Sequence, residues 1–289
     1  VEIVVLVHNA STQDRTLSLA GEFSSWNGDE WQYPPIPSQT FLAEAGKAHE
    51  IRIGPVHWGL GPESYWWPNI PFREEYAATL HWLELSLEED GKPVHQRRQR
   101  FGFAEHGEGP YYYTVNGVRV NSFGDSNSYG QVGEYDCWTE TACFQPPRGE
   151  RRGCPETWKR YQRVGFNSMR LSTSVPTRYL LDTADEAGYL LIPEGGSWGN
   201  GTCAFHKENF SAQLQAMIRV CRNHPCVARY SMANESIPQN PDRDDCQWRW
   251  LIDAALESDP TRPYVFEANP GCGAGPIRES KIGAGEADW

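Results

Sequence analysis

The spacing of apolar and polar residues changes near residue 105 of this chain. Before that point, apolar and polar residues alternate in short runs, and Gly, Pro, Asn and Asp separate the runs. Such runs occupy residues 2–8, 48–53 and 80–87. Because alternation with a period of two is typical of half-buried strands, residues 1–105 are predicted to form short antiparallel strands in a β-sandwich.

After residue 105, apolar strands alternate with amphipathic helices. Gly188 lies where a helix would stop before its strand. This rhythm predicts parallel strands joined by helical crossovers. Strands are predicted at residues 118–123, 166–172, 189–193, 227–233 and 264–268, and helices at 177–187, 207–222 and 244–257.

Composition narrows the class of protein. A chain of 289 residues with 39% hydrophobic residues can bury a large core, in one large domain or two smaller ones. The net charge of -12 argues against nucleic acid as a partner, since phosphate binding needs clustered Lys and Arg. No run approaches the roughly 18 apolar residues of a membrane helix. The first residues lack the basic start of a signal peptide and are typical of a strand entered in mid-protein.

The eight cysteines do not follow the spacing of a zinc site. Four of them have polar, loop-like neighbours, which leaves one or two disulfides open. The nearest approach to a metal-binding cluster is Cys221, His224 and Cys226, but the first lies on a helical stretch and the last begins a strand, so core packing is predicted instead. The four loop cysteines are Cys137, Cys143, Cys154 and Cys203.

Polar residues recur where the predicted parallel strands end. Ligand chemistry in a (β/α)₈ barrel gathers at the carboxyl ends of its strands, so these side chains are expected to share one mouth. The most informative case is the strand at 227–233, which ends in Asn234 and is followed by Glu235. The strand-end candidates are Arg170, Glu194, Asn234, Glu235 and Glu267.

The segment from Asn223 to Glu235 resembles the Asn-His-Pro…Trp-Ser-Leu-Gly-Asn-Glu segment of glycoside hydrolase family 2, which includes β-galactosidases, β-glucuronidases and β-mannosidases. Further segments match motifs of this family in the family's own order. They are Arg-Phe-Gly-Phe at 100–103, the Asn-Gly hairpin at 115–120, Gly-Phe-Asn-Ser-Met-Arg at 165–170, residues 185–194, and Asp-Pro-Thr-Arg-Pro-Tyr-Val-Phe-Glu at 259–267.

The resemblance implies an immunoglobulin-like β-sandwich at residues 1–105, followed at 106–289 by the N-terminal part of a (β/α)₈ TIM barrel that is incomplete in this chain. It also implies a retaining exo-β-glycosidase of β-galactosidase type, with Glu235 as general acid/base. Five predicted strands leave the family's nucleophile, on the seventh strand, beyond Trp289, so an internal piece of a longer enzyme is expected. Glu286 follows the fifth strand too closely for that role.

Substrate-binding roles follow from the same resemblance. Asn234 is expected to hydrogen-bond the sugar 2-hydroxyl, and Arg170 to orient a carboxylate. Glu194 and Glu267 are further candidates, and Trp198 is a candidate stacking platform.

Each candidate residue has a structural alternative. Asn234 and Glu235 could cap the next helix, and Arg170 could serve only in an ion pair. Glu194 and Glu267 could be solvated loop carboxylates, and Trp198 could pack in the core.

Some positions depart from the family. Thr173 stands where the family has a substrate-contacting His, and Trp198 and Asn200 stand where β-galactosidases bind magnesium, so no metal and no cofactor are expected. Arg229 replaces an apolar residue. By alternation with Glu235 it would face the barrel interior, where a buried Arg needs a carboxylate partner.

Two other functions stay open alongside the β-galactosidase-like one. The first is a non-catalytic carbohydrate-binding protein on the same scaffold. The second is a glycosidase for uronic acids or amino sugars. In each case the expected partner is a carbohydrate, with neither nucleic acid nor membrane, and a homo-oligomer is left open. A polysaccharide substrate and the loop cysteines favour an extracytoplasmic location.

Overall fold

The computed structural model describes residues 1–109, 112–127, 154–171, 175–195, 207–234 and 247–267. These residues form two compact units. The first comprises Val1–Tyr65 and Thr79–Phe103. The second comprises Trp66–Ala78 and the described residues from Ala104 onward. Two contacts explain why Trp66–Ala78 belongs to the second unit: the Trp66 indole donates to the Asp185 carbonyl at 2.8 Å, and the Asn69 amide donates to Gly188 at 2.9 Å.

The first unit consists of antiparallel strands. β1 pairs with β4, and the second sheet has the order β3-β2-β5-β6. A short 3-10 helix, Pro62–Ser64, follows the first four strands. The strands are β1 Ile3–His8, β2 Arg15–Ser25, β3 Gln39–Ala43, β4 Ala48–Ile53, β5 His81–Glu89 and β6 Lys92–Phe101.

The two sheets of this unit share one core. Ile3 from β1, Leu19 and Phe23 from β2, and Ile51 and Ile53 from β4 are buried in a single cluster. Every second residue of these strands points into that cluster, because side chains alternate between the two faces of a strand. The predicted antiparallel strands are therefore confirmed, while the immunoglobulin-like assignment stays a prediction.

The second unit begins with an antiparallel meander of β7 His106–Gly109, β8 Tyr112–Val115 and β9 Val118–Val120. Asn116 and Gly117, both with positive φ, form the turn between β8 and β9. An Asn-Gly turn of this kind folds the following strand back on the preceding one. The prediction of a parallel strand at 118–123 is therefore wrong, because Val118–Val120 pairs backward with β8.

Strands and helices then alternate along the described residues. The first parallel strand is β10, which replaces the predicted strand at 118–123. The remaining predicted elements are confirmed to within three residues at each end. The strands are β10 Gly124–Asn127, β11 Ser168–Leu171, β12 Leu190–Pro193, β13 Tyr230–Asn234 and β14 Tyr264–Glu267, and the helices are α1 Cys154–Arg163, α2 Arg178–Ala187, α3 Lys207–Cys221 and α4 Gln247–Ser258.

The parallel strands lie side by side in chain order. β11 pairs with β10 and β12, and β13 pairs with β14. Parallel bridges from Leu191 to Val227 and from Glu194 to Ser231 join β12 to the β13 segment. Sequential parallel strands with intervening helices are the arrangement of a TIM barrel. The five strands in the described part of the chain do not close it.

Helix α1 was not predicted, and Cys154 had been assigned to a loop. Its sequence is mostly charged and polar, so only a few apolar side chains mark its buried face. One residue anchors it: the Trp158 side chain is fully buried, donates to the Thr183 hydroxyl at 3.0 Å, and stacks on Tyr189 with ring centroids 4.7 Å apart. Tertiary contacts thus hold this helix, and the Gln162 side chain adds a bond to the Ala187 carbonyl at 2.9 Å.

Helix α2 has both of its ends fixed by the sequence. The Thr177 hydroxyl accepts from the Leu180 amide at 3.2 Å, which caps the first turn. Gly188 ends the helix in the left-handed conformation, with φ of 66°. An added Cβ there would lie 2.5 Å from the Asn69 backbone nitrogen, so the predicted helix stop at Gly188 is confirmed and requires glycine. None of the helices described has the length and apolar character needed to cross a bilayer.

Candidate functional site

The polar residues predicted at strand ends lie on neighbouring strands of the parallel sheet. Arg170 on β11 pairs with Ile192 on β12. Glu194, two residues further along, bridges to Ser231 on β13. Since paired residues in a sheet point to the same face, Arg170, Glu194 and Ser231 share one face near the carboxyl edge. Their contacts confirm this arrangement.

These three side chains meet at one oxygen. Glu194 Oε2 accepts from Arg170 Nε at 2.7 Å and contacts Arg170 Nη2 at 2.6 Å. The Ser231 hydroxyl donates to the same oxygen at 2.6 Å. Glu194 is fully buried, whereas 21% of the Arg170 side chain is exposed. A buried carboxylate needs compensating charge and hydrogen bonds, and Arg170 and Ser231 supply them.

The contacts of Glu194 and Arg170 bear on the structural alternatives for these two residues. Glu194 as a solvated loop carboxylate is wrong, because the chain stays in the sheet past Pro193 and the Gly195 amide donates to the Ser231 carbonyl at 3.0 Å. Arg170 does form an ion pair, with two of its nitrogens directed to one carboxylate oxygen rather than to two. A role for Arg170 toward a substrate stays a prediction.

Several predicted site residues lie outside the described residues. These include Glu235 and Trp198. For Asn234 and Glu267 the backbone is described, and the two residues face each other across β13 and β14. Glu235 therefore follows directly on a strand end that pairs with the end carrying Glu267. Also outside are Thr173, Asn200, Glu286, Cys137, Cys143 and Cys203.

Strand β13 is irregular just before its end. Ser231 pairs with Val265, but Asn234 pairs with Glu267, so three steps on β13 match two on β14. This extra residue is a β-bulge, and it breaks the side-chain alternation along the strand. Alternation with Glu235 therefore does not decide whether Arg229 faces the barrel interior, and that expectation stays a prediction.

Arg229 also has an aromatic partner that the sequence did not indicate. Its guanidinium donates to the hydroxyl of Tyr113, on β8, and lies over the ring of that residue, 4.5 Å from the centroid. A hydrogen bond and a cation–π contact together stabilise a half-buried arginine.

Motif residues also gather at the opposite, amino edge of the sheet. The carboxylate of Asp185, at the end of α2, contacts His224 Nδ1 at 2.6 Å and accepts from the Cys226 amide at 3.0 Å. Both Asp185 and His224 are buried. This pair ties α2 to the Asn-His-Pro turn that leads into β13.

Arg262 completes this network. Its guanidinium donates to the carbonyls of Arg222, His224 and Val227, at 2.8 to 3.0 Å, and to Asp259 Oδ2 at 2.9 Å. Burial alone would raise the pKa of Asp259, but Arg262 and hydrogen bonds from its neighbours outweigh burial and hold that pKa below its usual value. The motif residues at this edge are thus satisfied structural groups.

The residues considered for metal binding lie at this edge too. Cys221 and Cys226 are free and buried, and burial raises the pKa of the Cys221 thiol to about 12, which makes it a poor metal ligand. Asp182, Asp185 and His224 bring potential ligand atoms within 4.8 Å of one another. Asp185 and His224 already bond each other, so their geometry suits a structural link between α2 and the turn before β13.

Ser231 is the member of the carboxyl-edge cluster that the sequence did not single out. A usable feature was present: a small polar residue in an apolar strand, four positions before Glu235. A hydroxyl in a buried strand requires a partner, which here is Glu194.

Residues 158–280 match the model of the TIM barrel domain of the glycosyl hydrolases family 2. The match spans β11 to β14, so it contains Arg170 and Glu194, the strand ends with Asn234 and Glu267, and the amino-edge network. The match to this domain agrees with the sequential parallel strands. No curated protein sequence matched the chain.

Solved structures of family 2 enzymes share the fold. The chain is similar to the exo-chitosanase CsxA of Amycolatopsis orientalis, with 20% identity and a TM-score of 0.65 over 93% of this chain and 29% of that one. For the β-galacturonidase of Eisenbergiella tayi the identity is 19% and the TM-score 0.68, over 92% of this chain and 43% of that one. For the β-glucuronidase of Bacteroides uniformis the identity is 18% and the TM-score 0.62, over 92% and 31%.

The likeness at these identities concerns the fold, and it supports a multidomain protein that contains a TIM barrel domain. The chain spans between 29% and 43% of the length of these three structures.

Proposed function

We propose that this chain carries the acid/base half of a retaining exo-β-glycosidase site, β-galactosidase-like in type, with Glu235 as general acid and then general base. One observation supports it most: Asn234 and Glu267 face each other at the carboxyl edge of the family 2 sheet, beside the buried Glu194 and its partner Arg170. In TIM barrels this edge is where catalysis takes place.

The chemistry needs two carboxyl groups. One protonates the leaving oxygen, and the other meets the developing positive charge on the sugar, about 5 to 5.5 Å away in retaining enzymes. Glu235, one residue past the end of β13, is assigned the first task. Asn234 is assigned a hydrogen bond to the 2-hydroxyl, which strengthens as the transition state forms. Glu267 and Trp198 are assigned contacts with the sugar, and the substrate is a carbohydrate.

A second candidate substrate class is an amino sugar or a uronic acid. Its support lies in the similar structures, among which are an exo-β-D-glucosaminidase, a β-galacturonidase and a β-glucuronidase. Since Thr173 replaces the expected His, the substrate contacts on that side differ from those of β-galactosidases. The reaction type is the same for both candidates.

The test of the reaction is Glu235→Gln in the full-length protein, assayed on two sets of aryl β-glycosides. Hydrolysis of substrates with poor leaving groups should fall by about 10²-fold to 10⁴-fold, because those need protonation. Activated aryl leaving groups should be affected far less. The matched control is Glu208→Gln, an exposed carboxylate on α3, which should leave both rates unchanged. An equal loss on both substrate sets rejects the acid/base role.

The substrate class is tested separately. The unsubstituted protein is assayed on aryl β-glycosides of galactose, glucosamine, galacturonic acid and glucuronic acid. The β-galactosidase-like proposal expects the galactoside to have the highest kcat/KM. A preference for glucosaminide or uronide replaces it with the second candidate. No hydrolysis of any of them by the full-length protein, which also carries the nucleophile, rejects the glycosidase itself.

A further inference from the structure

We infer that Glu194 and Ser231 are positioning residues, and that they act on the reaction by fixing the guanidinium of Arg170. The inference rests on the proposed function, and it changes the role of Glu194 from a substrate contact to a support for another side chain. It also assigns a role to Ser231, which no sequence motif had marked.

The burial of the three residues separates their roles. Glu194 and Ser231 are fully buried, whereas 21% of the Arg170 side chain is exposed. A side chain with no exposed surface cannot contact a ligand without rearrangement. Arg170 is therefore the member of the cluster through which the other two reach a bound sugar.

The contacts fix the orientation of Arg170. Two of its nitrogens, Nε and Nη2, lie 2.7 Å and 2.6 Å from the same Glu194 oxygen. These two contacts hold the Nε–Nη2 edge of the guanidinium against Glu194. Bonds to an ionised group are also roughly twice as strong as neutral ones. The Arg170 side chain is thus held before any ligand arrives, as catalytic sites require.

Ser231 links this support to the strand that leads to Glu235. Its hydroxyl reaches Glu194 at 2.6 Å, and its carbonyl accepts from the Gly195 amide at 3.0 Å. Gly195 permits this approach, because an added Cβ would lie 2.7 Å from the Met232 carbonyl oxygen. Side-chain and backbone contacts together hold the end of β12 against β13, and so keep Arg170 in register with the strand of the proposed acid/base.

Two readouts test the inference, and one of them does not depend on activity. The first is solvent exchange of the Arg170 Nε proton, followed by NMR and assigned with Arg170→Lys. The second is kcat/KM on the best aryl β-glycoside, measured well below the unfolding temperature. Ser231→Ala should speed the exchange by about tenfold and lower kcat/KM by about tenfold, since a bond to a charged group is lost. Ser231→Thr, which keeps the hydroxyl, should restore both.

Ser168→Ala is the matched control. Ser168 is a buried serine on the same sheet, two residues before Arg170, and its hydroxyl bonds to that of Ser122 at 2.6 Å. Its loss should leave the Arg170 proton and kcat/KM unchanged. Glu194→Gln tests the same support if threonine does not fit at position 231. In the double variant Glu194→Gln with Ser231→Ala, the second change should add little to the effect of the first, since Ser231 acts through Glu194.

Three results would overturn the inference: Arg170 exchange unchanged in Ser231→Ala and in Glu194→Gln, a Ser168→Ala effect as large as that of Ser231→Ala, or full additivity in the double variant. Absence of hydrolysis in the unsubstituted protein would remove the proposed function alone, and the NMR measurement would still decide whether Arg170 is held by Glu194 and Ser231.

Discussion

The two edges of the parallel sheet use charged residues in different ways. At the amino edge, Arg262 donates to three carbonyls and to Asp259, all within the buried protein. At the carboxyl edge, Arg170 is directed to Glu194 and keeps 21% of its side chain exposed. Arg262 is nearly buried among contacts of the fold, whereas Arg170 keeps part of its side chain exposed.

This difference shows how motif residues with a structural role can be distinguished from motif residues of the candidate site. Family motifs occur at both edges of the sheet, so a match alone does not distinguish a structural residue from a site residue. Residues at the amino edge of a TIM barrel serve stability, and those at the carboxyl edge serve catalysis. Substitutions at the two edges should therefore fail in different assays.

The largest effect on stability is expected from Arg262→Met. This change removes the cation that is paired with the buried Asp259 carboxylate, and it removes a donor to each of three carbonyls. It should lower the free energy of unfolding by about 3 to 5 kcal/mol. Chemical denaturation followed by tryptophan fluorescence measures it. The matched control is Arg219→Met on the exposed face of α3, with an expected change within about 0.5 kcal/mol. Equal denaturation midpoints for the two variants would contradict a structural role of the amino edge.

A smaller effect is expected from pH, through His106. This residue is buried at the amino edge and its Nε2 lies 2.8 Å from the Pro225 carbonyl. Burial and the nearby Arg262 charge lower its pKa to about 3. Protons therefore bind the unfolded state more readily below about pH 6.5, and stability should fall by about 2 kcal/mol between pH 7 and pH 5 from this group.

Denaturation midpoints at the two pH values measure this loss. His106→Gln keeps a donor for the Pro225 carbonyl but cannot titrate, so it should remove that part of the pH dependence. If its midpoints change with pH as much as those of the unsubstituted protein, His106 is not the source.

The smallest effect is expected at Thr177, and it tests whether a residue can lie at the carboxyl edge without taking part in the site. Thr177 lies at that edge but only caps α2. Thr177→Ala should cost about 1 kcal/mol of stability and leave kcat/KM unchanged, while Thr177→Ser should cost less because it keeps the oxygen. A fall in kcat/KM measured below the unfolding temperature would mean that the division between cap and site is wrong.

Regular elements of the second unit could be predicted from sequence because their determinants are local. Thr177 and Gly188 bound α2 by capping chemistry, and buried strands such as that ending at Pro193 appear as apolar runs. Helix α1 could not be predicted, because one aromatic side chain, Trp158, anchors it through contacts with residues distant in sequence. The strand at 118–123 was misplaced because its apolar residues were given more weight than the Asn-Gly turn before them.

The grouping of Arg170 and Glu194 could be predicted from the sequence, but the bonds around them could not. Strand ends identify Arg170 and Glu194, since the carboxyl edge gathers whatever follows each strand. The sequence pattern alone does not give the register of the strands or the bulge. Both the place of Ser231 in the cluster and the contact of Arg229 with Tyr113 depend on them.

The bulge in β13 has a consequence for how this protein can change. Because of the extra residue between Ser231 and Asn234, side-chain alternation does not continue from the first part of the strand to its tip. Inserting or deleting one residue on one side of the bulge would reverse which side chains point inward on that side. The side chains beyond the bulge would keep their facing. The strand is thus divided into two parts that selection, or an engineer, can vary independently.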